Sequence, residues 1–334
     1  MTSYAFATIL VAYAVLGRMK ETCGEATGEI PCQIGKHMVA LEETRQEEVS
    51  FASLGSSTTT VPAPAPIPVP ATAPIGVCTV WGDPHVRTFD HQHADYYSPG
   101  EYWLVKSQTI FIQARYLPTR MTSGLAVTKT LAIGGPMLKG HKLFVSADSA
   151  TWDGQPILTG FPSSFSVANV VHIDYNNVGQ HLQKGRSGKA LHIVHIKIND
   201  GTPEGILIQV NRWMEANAGH YINVRITMHA QPGQDGECGN FNGNPADDDR
   251  LQVRARLGTT GVPPGELLFG RKTTVVTGNR PDINNCPAAK LDSAKKACKA
   301  KEQKFIPSMS CLVDVCFGGE GFAEEGFAEE DEDV

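Results

Sequence analysis

The chain has 334 residues, of which 41% are hydrophobic and 19% charged, and its formal net charge is -6. This length suits one large domain with extensions, or two modest domains. The negative balance excludes the concentrated positive field that nucleic-acid binding needs, so we expect no nucleic-acid partner. The 33 glycines, 21 prolines and many β-branched runs favour a mainly β, turn-rich protein over a helical bundle.

The N-terminal stretch, residues 1–20, predicts a secretory signal peptide. Tyr4 to Leu16 is an uncharged run of the length of a signal h-region. Arg18 and Lys20 follow this run instead of preceding it, so an uncleaved signal anchor remains the alternative. Beyond that possible anchor we expect no membrane insertion, and the expected location is secreted or extracellular.

Residues 21–54 predict a small N-terminal segment with a charged, helical stretch. Residues 55–75 are rich in Pro, Ser and Thr, which predicts an extended polyproline II linker because proline removes backbone donors. O-glycosylation of this linker is expected.

Residues 76–250 carry a series of short β-rich runs, separated by Gly, Pro, Asp and Asn at the spacing of β-meanders. Asp153-Gly154 between two of these runs is a strong hairpin signal. The pattern predicts an antiparallel β-sandwich, in which one face of each strand is buried against the other sheet.

The chain beyond Asp249 changes character. It becomes basic and loop-like, and residues 251–318 then predict a small, helical appendix stapled by disulfides. Residues 319–334 are acidic and glycine-rich, which predicts a disordered tail.

Eight cysteines without any CxxC pair argue against zinc ribbons and thioredoxin-like sites. Their even number suits disulfides in an oxidising compartment. The pairing of Cys23 and Cys32 is open, and the last four cysteines allow three arrangements. The full set is Cys23, Cys32, Cys78, Cys238, Cys286, Cys298, Cys311 and Cys316.

The stretch CGNFNGNPADDD, which begins at Cys238, concentrates oxygen donors in a glycine-containing loop. Asn amides, Asp carboxylates and a backbone carbonyl are the ligands that Ca²⁺ prefers over softer metal ions. A plain turn is the alternative, because Asn242-Gly243 is an ordinary hairpin signal and runs of Asp are often solvated. From the loop alone both interpretations stay open.

A second stretch, CTVWGDPHVRTFD from Cys78 to Asp90, favours the calcium site over the plain turn. Together with CGNFNG and the weaker SPGEYWLV and WDGQPI, it makes residues 78 to about 249 resemble a von Willebrand factor type D domain. The resemblance implies a β-sandwich with a structural Ca²⁺ and a disulfide between Cys78 and Cys238. The implied calcium ligands are Asp90, Asn240, Asn242, the Asn244 carbonyl, Asp247 and Asp248.

The chain also departs from this family. Tyr102 and Asp235 stand where the family usually has cysteines, which puts intermolecular disulfide multimers in doubt. His91 and His93 lie in a stretch that is about two residues longer than in the family. Asp90, His91, His93 and Asp95 could suggest a transition-metal site there. Alternating residues on an exposed loop usually face solvent, so we do not expect these histidines to bind a metal.

The GDPH motif has a second implication. In some relatives the Asp-Pro bond of this motif cleaves itself, and here Asp83, Pro84 and His85 occupy those positions. The alternative is that the motif only forms a turn.

The expected function is an extracellular, calcium-stabilised adhesion, matrix or protein-interaction module with protein or glycan partners. The sequence has no GxSxG, HExxH or phosphate-loop motif, which favours binding over catalysis. The alternatives are a luciferase-like or other enzyme built on such a domain, and a lipid-transport accessory domain.

Overall fold

A computed structural model describes residues 74–119, 122, 124–182, 190–214, 220–258, 261–273, 281–303, 305–320 and 322. All of them belong to one compact unit, residues 62–334. The predictions for the signal segment, the N-terminal segment, Cys23 and Cys32 and nearly all of the linker lie outside the described residues. Most of the acidic tail does so too.

The described part of the chain is mainly β and forms two antiparallel sheets, as the sequence predicts. The larger sheet has the strand order β10-β11-β12-β13-β14-β1-β2-β3. Its strands are β1 Ile75–Trp81, β2 His85–Arg87, β3 His93–Asp95, β10 Ser163–Val167, β11 Val171–Asn176, β12 Ile193–Ile198, β13 Ile206–Trp213 and β14 Tyr221–His229.

The smaller sheet is a meander in which each strand pairs with its neighbour in sequence, from β4 to β9. Its strands are β4 Gly100–Lys106, β5 Phe111–Pro118, β6 Ala126–Gly134, β7 Leu143–Ser146, β8 Ala150–Trp152 and β9 Gln155–Ile157.

One continuous hydrophobic core lies between the sheets. It contains residues of both, such as Ile112 and Leu131 from the smaller sheet and Ile208 and Val224 from the larger. Strand β11 shows why its sequence forms such a strand: Val171, Ile173 and Tyr175 are buried, whereas the alternate residues are exposed or half-buried. The β-sandwich that this alternation predicts is confirmed.

The turns confirm the predicted hairpin and divide one of the β-rich runs into two strands. Asp153 and Gly154, both with positive φ, connect β8 and β9 as a two-residue hairpin turn. The run from Ser164 to Tyr175, which reads as one β-rich segment, divides into β10 and β11, because the chain reverses at 168–170 and Asn169 adopts a left-handed conformation.

The first strand of the sandwich lies inside the larger sheet. Strand β1 pairs with β14 on one side and with β2 on the other. Cys78 on β1 is bonded to Cys238, which lies 160 residues further along the chain. This is the pairing that the family resemblance implies. It links the first strand, β1, to the chain that follows the last strand, β14.

Residues 250–258 and 261–273 differ from the loop-like stretch expected there. Helix α1 spans Arg250–Leu257, because the Asp249 carboxylate accepts hydrogen bonds from two N–H groups of its first turn and Gly258 ends it in a left-handed conformation. The chain then packs along the smaller sheet, where the Val262 N–H donates to the Glu101 carbonyl at 2.8 Å.

The predicted helical appendix is present as α2, Ala288–Glu302, and α3, Met309–Gly318. Two disulfides join this region, Cys286 to Cys316 and Cys298 to Cys311, which selects one of the three arrangements. With Cys78–Cys238 they make three disulfides among the described residues, which is typical of oxidising compartments. In the described ranges, every helix is too short or too polar to cross a membrane.

Candidate functional site

We call residues 238–249, in the chain that follows β14, the closing loop. Contacts with Phe89 hold the start of this loop. The Cys238 carbonyl accepts a hydrogen bond from the Phe89 N–H at 3.0 Å. The Phe241 ring stacks on Phe89 with centroids 5.0 Å apart. Gly76 gives this ring its space, because a Cβ there would lie 2.4 Å from the Phe241 ring.

Asp90 reaches the closing loop from the opening motif. Its Oδ2 accepts the Asn242 N–H at 3.0 Å, and its Oδ1 accepts the Gly243 N–H at 2.9 Å. The same Asn242 N–H lies 3.2 Å from Asn240 Oδ1. The structure therefore brings Asp90 beside two of the predicted calcium ligands, across more than 150 residues of sequence.

Asp247 and Asp248 complete this cluster of oxygens. Asp247 Oδ2 accepts the side-chain amides of Asn240 at 3.2 Å and Asn242 at 2.9 Å. Asp248 Oδ1 accepts the Asn240 N–H at 3.1 Å. The other oxygen of each carboxylate, Asp247 Oδ1 and Asp248 Oδ2, is buried and accepts no hydrogen bond from any residue that the structure describes.

The two carboxylates differ in their electrostatics. Burial raises the pKa of Asp248 and the nearby charge of Asp90 adds to it, although hydrogen bonds and Arg256 oppose the shift. The hydrogen bond from Asn242 lowers the pKa of Asp247. Arg256 Nη2 lies 3.5 Å from Asp248 Oδ1, so part of the negative charge of the loop is balanced by protein.

The closing loop fits Ca²⁺ by its donor chemistry, since all six predicted ligands present oxygen. Several of these oxygens hold the loop together by themselves: Asn244 Oδ1, for example, accepts the Ala246 N–H at 3.2 Å, and the Asn244 carbonyl accepts the Asp247 N–H at 3.4 Å. An ion would replace such hydrogen bonds and satisfy the buried oxygens of Asp247 and Asp248.

A second cluster surrounds the GDPH motif and is called the Asp83 cluster here; its members are Asp83, His85, Asp95 and Asp314. The motif forms the turn between β1 and β2. Gly82 has a φ of 59°, and its N–H donates to Asn223 Oδ1 at 3.0 Å. This left-handed residue directs the Asp83 side chain into the protein, where it is fully buried.

His85 lies at the centre of the Asp83 cluster. Its Nε2 is 3.1 Å from Asp83 Oδ1 and 3.4 Å from Asp314 Oδ2. Its Nδ1 is 2.7 Å from Asp95 Oδ1, and the two residues are register partners on β2 and β3. Asp314 comes from helix α3, whose Ser310 Oγ lies 3.1 Å from the Tyr97 hydroxyl.

Burial and mutual charge shift the protonation of these groups. Burial, and then the charge of Asp314, raises the pKa of Asp83 to about 7. Burial lowers the pKa of His85, but Asp83 and Asp314 outweigh this and hold it well above its usual value. Burial tends to raise the pKa of Asp95, yet the hydrogen bond and charge of His85 bring it below its ordinary value.

Sequence reasoning singled out Asp83 and His85 but grouped Asp95 with His91 and His93 instead of with His85, and it missed Asp314. A signal for Asp314 exists: it is the only charged residue within CLVDVC, an otherwise apolar and cysteine-containing run. An ionised side chain on a buried helix face points to a partner. His91 and His93 are exposed, as expected, but His93 lies on strand β3 and not in a loop.

Comparison of the chain with models of known protein families gives no match, and comparison with curated proteins gives none either.

Proposed function

We propose that this chain is a secreted module of the von Willebrand factor type D kind, stabilised by Ca²⁺ at the closing loop. Three disulfides suit an extracellular environment. The predicted N-terminal signal supports secretion, with a membrane anchor as the alternative. We further propose that its role is adhesion, matrix assembly or protein interaction, with protein or glycan partners.

The observation that carries the calcium proposal is the position of Asp90. Both of its carboxylate oxygens accept backbone N–H groups of the closing loop, at 3.0 and 2.9 Å. The loop also holds two buried carboxylate oxygens without hydrogen bonds from the described residues. A divalent cation bound there would tie the opening motif to the end of the last strand.

Calcium-dependent stability tests this proposal. For the purified full chain we expect one bound Ca²⁺ by native mass spectrometry. We also expect a melting temperature roughly 5–10 °C higher in Ca²⁺ at about 100 times its Kd than in chelator. Asp90→Asn should lose most of this shift, because it removes a negative charge from the site.

The matched control is Asp174→Asn, which changes an exposed carboxylate on β11 and should keep the whole shift. A wild-type chain that binds no Ca²⁺ and melts at the same temperature with and without chelator contradicts the proposal.

We propose self-cleavage between Asp83 and Pro84 as a second candidate function, which the burial of Asp83 beside His85 supports. An Asp83 carboxylate oxygen would attack the Asp83 carbonyl carbon, and the bond to the Pro84 nitrogen would break as that nitrogen takes a proton. Water would then open the cyclic anhydride and leave Asp83 as a new C-terminus. His85 is placed to carry the proton.

Gels run with and without reductant test the cleavage after incubation in mild acid. Asp83-Pro84 is the only Asp-Pro bond in the chain. Because Cys78 is bonded to Cys238 across the cut, we expect two fragments only after reduction. Asp83→Asn should stay intact, while the exposed control Asp148→Asn should cleave like wild type. An intact wild-type chain in both lanes overturns the proposal.

A further inference from the structure

We propose that Asp83, His85 and Asp314 form a second metal site, for a divalent first-row transition ion such as Zn²⁺. Among the described residues, their ligand atoms all lie within 4.8 Å of one another, and all three residues are buried. The site joins the first turn of the sandwich to helix α3 of the appendix. It is separate from the closing loop and does not depend on calcium binding there.

The distances in this site suit a small ion. Zn²⁺ binds imidazole nitrogen and carboxylate oxygen at about 2.0–2.2 Å, so tetrahedral ligand atoms lie about 3.3–3.6 Å apart. His85 Nε2 lies 3.1 Å from Asp83 Oδ1 and 3.4 Å from Asp314 Oδ2. The ligand atoms of all three residues lie within 4.8 Å of one another, so a shift of about 1 Å would bring them to that spacing, and one coordination position would remain for water.

The second nitrogen of His85 is already oriented as metal sites require. Metal-binding histidines commonly donate their other N–H to a carboxylate, which fixes the tautomer and the ring orientation. Here Nδ1 lies 2.7 Å from Asp95 Oδ1. With the proton on Nδ1, the Nε2 lone pair faces Asp83 and Asp314, so Asp95 acts as the positioning residue.

The charge of the cluster also calls for a cation. Three carboxyl groups surround one imidazole, so the cluster holds more acidic groups than basic ones. Asp83 is 0% exposed, and its oxygens face His85 Nε2, 3.1 Å from Oδ1, and a second carboxyl group, that of Asp314. Burying charge without compensation is costly, and a divalent ion offsets it.

The donor set distinguishes this site from the closing loop. One imidazole nitrogen with two carboxylates suits Zn²⁺, Co²⁺ or a related ion, whereas six to eight oxygens suit Ca²⁺. An ion bound to Asp83 would also occupy the carboxylate that the proposed cleavage uses, so occupancy of this site would oppose cleavage.

Zinc binding by the oxidised full chain in saturating Ca²⁺ tests the inference, with isothermal titration calorimetry and native mass spectrometry as readouts. Wild type should bind one Zn²⁺ that Asp314→Asn weakens by at least about 100-fold and Asp95→Asn by about 10- to 100-fold. His141→Ala, which removes an exposed histidine paired with Asp153, should bind like wild type. In wild type, Co²⁺ should give the visible absorption bands of a tetrahedral ion.

Two further measurements keep the outcome clear. Disulfide content and near-UV circular dichroism identify any variant that fails to fold, and Asp95→Asn then replaces Asp314→Asn as the deciding variant. Asp314→Asn should keep its calcium-dependent melting shift, and Asp90→Asn should keep its Zn²⁺. A wild type that binds no Zn²⁺, or an affinity that neither Asp314→Asn nor Asp95→Asn changes, overturns the inference.

Discussion

Glu237 is a buried acid on which neither proposed site depends. It is 3% exposed and accepts a hydrogen bond from the Tyr116 hydroxyl at 2.6 Å. Burial raises its pKa to about 8, although the hydrogen bond from Tyr116 and the charge of Arg250 oppose the shift. The native protein therefore holds a proton on Glu237 at neutral pH, whereas the unfolded chain releases it.

This proton makes stability depend on pH. The native pKa of Glu237 lies above its unfolded value of 4.5, so its contribution is complete below pH 4.5 and is lost as the pH rises to about 8. Glu237→Gln keeps the bond to Tyr116 and cannot ionise. Between pH 5 and 8 we expect wild type to lose up to about 1.4 kcal/mol per pH unit relative to this variant, by urea unfolding.

Glu320→Gln, at an exposed residue, serves as the control and should show the same dependence of unfolding free energy on pH as wild type. If Glu237→Gln and wild type give parallel curves of unfolding free energy against pH, the carboxyl of Glu237 is not protonated in the native state.

Gly239 is a position where only glycine fits. Its φ is 86°, and a Cβ there would lie 2.1 Å from Asp248 Oδ2. Gly239→Ala should therefore displace Asp248, lower the unfolding free energy by more than about 2 kcal/mol and weaken Ca²⁺ binding. Thermal unfolding and calcium titration measure the two effects.

Gly243 supplies a matched control in the same loop. It has a similar φ of 84° but no atom within 4 Å of its missing Cβ. Gly243→Ala should lower the unfolding free energy by about 1 kcal/mol, because only the strain of a left-handed alanine backbone is added. It should keep most of the Ca²⁺ affinity. Equal losses in the two variants would show that the contact with Asp248 does not matter.

At the scale of elements, helix α3 depends on its disulfides for its position. Cys298–Cys311 links α2 to the start of α3 and closes a short loop of 13 residues. The small core there contains only Ala294, Cys298, Cys311 and Val315 among its buried members. So few apolar contacts leave much of the local stability to the covalent bonds.

Removing that disulfide should loosen the appendix and leave the sandwich intact. For Cys298→Ala with Cys311→Ala we expect a local loss of about 3 kcal/mol, seen as roughly 100-fold faster amide exchange in α2 and α3. Strands β12 to β14 should keep their protection, and Zn²⁺ affinity should fall because Asp314 is no longer held. Faster exchange throughout the sheets would contradict this separation.

Elements with a strong local pattern could be predicted from the sequence. The alternation of apolar and polar residues predicted strands such as β11, and Asp153-Gly154 predicted the β8–β9 turn. Helix α1 was missed because its Arg-rich sequence has little apolar periodicity, and its ends depend on the caps Asp249 and Gly258. Asp314 could not be assigned to the Asp83 cluster because only the tertiary packing of α3 brings it there.

At the scale of the whole molecule, three connections join the two ends of the sandwich. Strand β1 pairs with β14, Cys78 is bonded to Cys238, and Asp90 binds the closing loop. The family resemblance implied the disulfide between Cys78 and Cys238 and made Asp90 a ligand together with the closing loop. It could do so because a sequence motif marks each end of the domain. The strand pairing required the structure, since sequence alone does not show which distant strands are neighbours.

The Cys78–Cys238 bond should account for a large part of global stability, because it closes a loop of 160 residues. The chain-entropy estimate for such a loop is about 5 kcal/mol. Cys78→Ala with Cys238→Ala should lower the unfolding free energy by up to this amount and still fold, because the β1–β14 ladder remains. Urea unfolding in Ca²⁺ measures the loss, and an unchanged midpoint would contradict it.

The central position of β1 has a consequence for biosynthesis. The ribosome delivers β1 early, but its neighbour β14 follows only some 140 residues later, which takes roughly 10–30 s at usual rates of translation. During that delay one edge of β1 has no native partner and is open to pairing with another nascent chain. Folding without such mispairing therefore depends on keeping this edge of β1 free until β14 has been made.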